Sequence, residues 1–243
     1  MLIRCIRSEK LKLKHSILWI ACLGIPLIPA IMGTFNYLGN LNILTPGWAN
    51  LWTQETLFYA NFFYAPLIGL CCAYLWRLEH RNHNWNTLMT APVPAWAIVL
   101  SKLALILRTL VLIQLWVGVL FLVSGKCIGV EGRFPLETLG WLLRGTLAGA
   151  AIGALQLFLS MVIRSFALPI ILALFGSVGS IYAAAKGIGL FFPYSLMMLG
   201  MNSNRAEDML KGQLAAFLAS SVGMLFLFYL LSVLYLRKTD IKA

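Results

Sequence analysis

The stretch Glu79-His80-Arg81-Asn82-His83-Asn84-Trp85-Asn86-Thr87-Leu88-Met89-Thr90-Ala91, followed by Pro92 and Pro94, decides how this chain is read. It is polar, carries both signs of charge, and separates two long apolar segments. Trp85, Leu88 and Met89 fall at i, i+3 and i+4, on one side of a short helix. Asn82 or Asn84 can cap its start, and Pro92 stops it. Such a helix lies flat beneath a membrane, with its apolar side docked and its polar side free. A groove on a cytosolic protein can accept it, or it is an ordinary amphipathic loop between two spans; the spacing alone leaves both open.

Outward from this interval the chain is built for lipid. It has 243 residues, of which 60% are hydrophobic and 11% charged, with a mean hydropathy of +0.85. A soluble domain carries roughly 25% charged residues, so this chain lacks the charge to cover a soluble surface. Charge-free windows predict spans at about 17–36, 56–78, 102–124, 142–163, 166–186 and 212–236, each near the ~20 residues a helix needs to cross. Continuous apolar runs exclude the alternating pattern of a β-barrel, which leaves helices. The expected fold is an all-α membrane protein, one transmembrane domain over residues 1–243. It has six spans, both termini cytoplasmic and a short amphipathic helix at residues 1–14. In that N-terminal helix Leu2, Ile3, Ile6 and Leu13 share a face. The uncharged run around Leu190 to Leu199 is too short to cross and holds Pro193, so a re-entrant or interfacial segment on the outer face is expected. The first span, with Pro26 and Pro29, is expected to be retained rather than cleaved as a signal peptide.

Orientation follows from the positive-inside rule. With the N-terminus inside, the inner face holds thirteen Lys and Arg against Glu9, Glu79 and Asp240, a net of +10, and the outer face nets +1; together they give the formal +11. The basic charge thus belongs to a membrane face, where anionic lipid sits, and not to a nucleic-acid site. The five cysteines show no metal spacing and no disulfide framework. The histidines, His15, His80 and His83, all lie outside the spans, so a membrane Ser-His dyad and bis-histidine haem ligation are unavailable. No phosphate-binding loop is present. Inside the spans, Arg108, Gln114 and Gln156 are polar; Arg108 either snorkels to the headgroups or lines a polar cavity. Glu55 reads as a solvated start of span two. Gly145, Gly149 and Gly153 in span four, and Gly176, Ser177 and Ser180 in span five, allow close helix approach, either within one subunit or against a second one.

Three places in the sequence resemble ABC-2 type permeases: Glu9-Lys10-Leu11-Lys12-Leu13-Lys14 before span one; Glu79 to Trp85 with Leu88, Thr90, Pro92-Val93 and Ser101-Lys102; and Gly189 to Met201 with Pro193-Tyr194. Chain size and the lack of a large outer domain resemble the lantibiotic-immunity and peptide-antibiotic export branch. The resemblance implies a non-catalytic permease subunit in a bacterial plasma membrane. It implies that Glu79, Arg81, Trp85, Leu88 and Met89 form the coupling helix on an ATP-binding subunit, which holds ATP and magnesium, with no cofactor on this chain. It also implies a second permease, identical or homologous, and export of an amphipathic peptide. The alternatives are export of another substrate (a lipid, an ion or a bacitracin-like molecule) and a non-transporting assembly or sensor protein.

Overall fold

The computed structural model describes all residues except 15, 82–83, 204, 206 and 239–243. The candidate cap Asn82, His15, His83 and the tail residues Asp240 and Lys242 lie outside the described residues. The elements are α1 (Leu2–Leu13), α2 (Leu18–Gly39), α3 (Trp48–Phe58), a π-helical turn (Tyr59–Phe63), α4 (Tyr64–His80), α5 (Asn84–Thr90), α6 (Ala95–Cys127), α7 (Glu137–Val162), α8 (Ala167–Ala185), a 3-10 turn (Gly189–Phe191), α9 (Ser195–Gly200) and α10 (Leu214–Lys238). No strand occurs among the described residues. Six helical stretches are long and apolar enough to cross a membrane: α2, α3 through α4, α6, α7, α8 and α10. The predicted all-α class and span count agree with this.

Two spans are longer than predicted by about ten residues. The second runs continuously over Trp48–His80 and the third over Ala95–Cys127, 33 residues each. A 33-residue helix is about 50 Å long, against a hydrocarbon core of about 30 Å. The predicted starts at 56 and 102 were set by charged residues, Glu55 and Lys102, that turn out to lie inside the protein.

The second and fourth spans form the centre, and α10 is the least enclosed. The glycines of α7 explain the close packing. A Cβ at Gly149 would sit 2.5 Å from the Tyr64 hydroxyl, and one at Gly145 2.6 Å from Met201 Cγ. On α8, a Cβ at Gly176 would meet the Tyr194 ring at 2.3 Å, and Ser177 Oγ donates to the Asn61 carbonyl at 2.7 Å. That carbonyl belongs to the π turn, which opens the regular helix ladder. These small residues are therefore occupied within the subunit.

The segment before α10 folds into the bundle rather than over it. Leu196, Met197 and Met201 are fully buried. Trp52 Nε1 donates to the Met201 carbonyl at 2.8 Å, and Gln156 Nε2 donates to the Tyr194 hydroxyl at 2.7 Å. Gln114 Nε2 lies 3.7 Å from Met201 Sδ. Gln114 and Gln156 thus tie their helices to this segment.

Candidate functional site: a buried ion cluster beneath the polar helix

At one end of the bundle, three helices bring four charges together. Helix α1 supplies Glu9 and Lys12, three residues apart and so on one face. The last turn of α4 supplies Glu79, and α6 supplies Lys102, about two turns past its start at Ala95. Lys102 Nζ lies 2.8 Å from Glu79 Oε1 and 3.0 Å from Glu9 Oε2. Lys12 Nζ lies 2.7 Å from Glu9 Oε1 and also pairs with Glu79. Two acids and two lysines make the cluster formally neutral. Lys102 is 0% exposed, and Glu9 and Glu79 are 5% exposed.

Each charge in such a place requires its partners. An isolated ion in the interior is very costly, and a hydrogen-bonded counter-charge offsets that cost. Lys102 Nζ also sits 4.8 Å from the centre of the Trp76 ring, a cation–π contact strengthened by the lack of water. For Lys12, burial favours the neutral amine. The charges of Glu9 and Glu79 and their hydrogen bonds outweigh burial and hold its pKa above the ordinary lysine value.

The apolar face predicted for α1 is met in part: Leu2 and Ile6 are half-buried and Leu13 is buried, but Glu9 joins them and Ile3 turns out. Glu9 and Leu13 are its buried residues, whereas Ile3 is 67% exposed. The physical reason is Lys102: its buried ammonium draws the acidic edge of α1 inward.

The short helix α5 is joined to this cluster through aromatic rings. Trp85 stacks on His80 at 5.4 Å and 13° and leans on Trp76 at 6.0 Å. His80 Nε2 is 3.2 Å from the Ser160 carbonyl, at the end of α7. The Arg77 guanidinium lies 4.8 Å from the Phe166 ring centre, just before α8. Trp85, Leu88 and Met89 are half-buried and pack against the core. Asn84 Nδ2 donates to the Leu78 carbonyl at 2.9 Å, closing the corner between α4 and α5. Arg81, Thr87 and Thr90 are exposed.

The five residues expected in the coupling helix therefore divide three ways. Glu79 points inward to the lysines, Trp85, Leu88 and Met89 dock the helix on its own subunit, and Arg81 faces out. Glu9, Lys12 and Lys102 were not among the expected site residues. An acid in a basic, apolar helix and a lysine inside an apolar run were the available signals, since each needs a partner when buried.

A third buried carboxylate lies toward the opposite end. Glu55, 5% exposed, is two turns inside α3 rather than at a solvated helix start. It accepts hydrogen bonds from Thr34 at 3.2 Å and from Ser124. A Cβ at Gly33 would lie 2.3 Å from Glu55 Cα, so only glycine permits this crossing of α2 over α3. Glu55 also lines a cavity of about 10 Å³ beside Pro26 and Pro29.

Among the described residues, no group of three or more His, Cys, Asp or Glu could hold a metal ion. All five cysteines are free.

Six apolar helices around a shared core, with a polar helix slung between the second and third, define a multi-pass membrane protein. The family model described as "ABC-2 family transporter protein" matches residues 5–180, from α1 through most of α8. The chain belongs to the ABC-2 transporter family. That membership makes it a transporter permease subunit and implies, in general, an ATP-binding partner. It favours transport over a sensor role. No curated protein matches the chain.

Proposed function

We propose that this chain is the membrane half of an ATP-driven exporter, with an ATP-binding subunit seated against α5. The observation that carries the reading is the anchoring of α5: Trp85 on Trp76 and His80, one contact away from Lys102. A helix held this way moves with α4, so a push on its exposed edge reaches α6 and α1 through the ion cluster. In this reading Arg81, Thr87 and Thr90 meet the ATPase, while Trp85, Leu88 and Met89 transmit the load. Glu79 holds the base of α4 in register. ATP and magnesium reside on the partner. The α1 and α5 end is cytoplasmic, and two permeases pair with two ATPase copies in a bacterial plasma membrane.

The proposed cargo is a lantibiotic or a similar amphipathic peptide antibiotic, expelled for self-protection. The short connections support this: 40–47, 128–136 and 201–213 leave no room for a large external domain. An amphipathic peptide is then met by lipid-facing apolar surface. Co-purification tests the partner. Arg81→Glu with Thr87→Asp changes only exposed positions and is expected to release the ATPase; an ATPase that stays bound removes α5 as the contact. Survival of a deletion strain against a panel of lantibiotics tests the cargo, with selective sensitivity expected.

A further inference from the structure

A cleft of about 610 Å³ lies between α1, the start of α2 and α6. Arg7 and Lys10 line it from α1 and Lys14 from just past its end, and Arg108 and Leu105 from α6, with Trp19 from α2. No acidic side chain lines it, because Glu9, the one acid of α1, is turned to Lys12 and Lys102 on another face. Four cations therefore surround a space with apolar walls.

Arg108 is the informative member. It stands roughly three and a half turns past the start of α6, inside an apolar run, and is exposed. Among the described residues it has no ion-pair partner. An arginine at such a place needs an anion or water. Leu112 and Leu115 follow Arg108 on the same helix face by spacing and are 41% and 60% exposed. Trp19 Nε1 donates to the Leu13 carbonyl at 3.0 Å. Trp19 lies in the first turn of α2, the first span, and tryptophan at a span end marks headgroup level, so the cleft lies where lipid headgroups are.

We propose that this cleft is a binding site for an anionic phospholipid. The phosphate lies between Arg108 and the cations of α1, where guanidinium and phosphate match as paired donors and acceptors. The acyl chains run along the exposed Leu112 and Leu115. A zwitterionic lipid would place its ammonium among four cations and is disfavoured. The lipid joins α1 to α6 on one side as the ion cluster joins them on another. The site does not depend on which protein meets α5.

The test uses the full chain extracted from vesicles of equal parts phosphatidylglycerol and phosphatidylcholine, with retained lipid counted by native mass spectrometry. Phosphatidylglycerol is expected to remain bound in preference to phosphatidylcholine. Arg108→Gln lowers its retention about fivefold, the effect of one surface cation on an anionic lipid, and Arg108→Lys restores most of it. Lys10→Gln with Lys14→Gln, both exposed, lowers it as well and guards against a folding defect at Arg108. Excess inorganic phosphate leaves the lipid in place. Equal retention of the two lipids, unchanged retention in the glutamine variants, or displacement by inorganic phosphate each overturns the proposal; the last would mark a site for free anions.

Discussion

Two ends of this bundle bury carboxylates in opposite ways. Near α1 and α5, Glu9 and Glu79 share two lysines, and every charge has a counter-charge within hydrogen-bond reach. Toward the other end, Glu55 meets only the hydroxyls of Thr34 and Ser124, and no cation among the described residues pairs with it. The first arrangement fastens three helices by charge, and each member depends on the others. The second fastens α2, α3 and α6 by shape, through the Gly33 crossing and hydrogen bonds that an uncharged isostere can also make. Removing a charge should therefore be severe at one end and mild at the other.

Lys102→Met gives the largest expected effect. It leaves two buried carboxylates with one partly exposed lysine, and losing one partner of a buried pair costs about 3–5 kcal/mol. The thermal midpoint of the purified chain in detergent reports it. Glu79→Gln combined with Lys102→Met should recover part of that loss, since the two residues touch. A silent Lys102→Met would break the comparison outright.

Trp85→Ala comes next. It removes the ring contacts to His80 and Trp76, worth about 0.5–1.5 kcal/mol beyond area. Limited proteolysis should then cut faster around α5, with the rest of the bundle unchanged. Unaltered cleavage would mean that α5 is not held by these rings.

Lys12→Met should cost less, about 1 kcal/mol, because its side chain is 28% exposed and water screens it. Its sign with pH is definite. The folded pKa is raised, so the stabilisation is complete below the unfolded value and is lost as pH rises through the folded one. The gap in melting temperature between the parent and Lys12→Met should close only in strong alkali; a gap that closes near neutrality would contradict the lysine–carboxylate account.

Glu55→Gln should be smallest, below about 1 kcal/mol, because the amide oxygen accepts the same two hydrogen bonds. A loss as large as that of Lys102→Met would erase the difference between the two ends and point to an unseen counter-charge at Glu55.

The legible parts of the chain share a cause. Spans, all-helical class and the short helix over Asn84–Thr90 follow from patterns local in sequence, and Trp85, Leu88 and Met89 dock as their spacing predicts. The boundaries at 56 and 102 failed because a charge was read as the edge of the membrane. Lys102 and Glu55 are charged residues inside long helices, made tolerable by partners 93 and 69 residues away in the chain. Glu9 was hidden for the same reason.

By itself the amino-acid order determined what the chain is dissolved in, how many times it can cross, and where a polar helix interrupts the apolar runs. Those properties depend on solvent transfer and on neighbours within a few residues. Only the tertiary structure decided which charges are interior, that Glu9 on α1 faces the protein, and that Arg108 shares a cleft with α1. Those outcomes depend on Coulomb and hydrogen-bond partners brought from distant helices, and pairing of that kind leaves no periodic trace in one sequence.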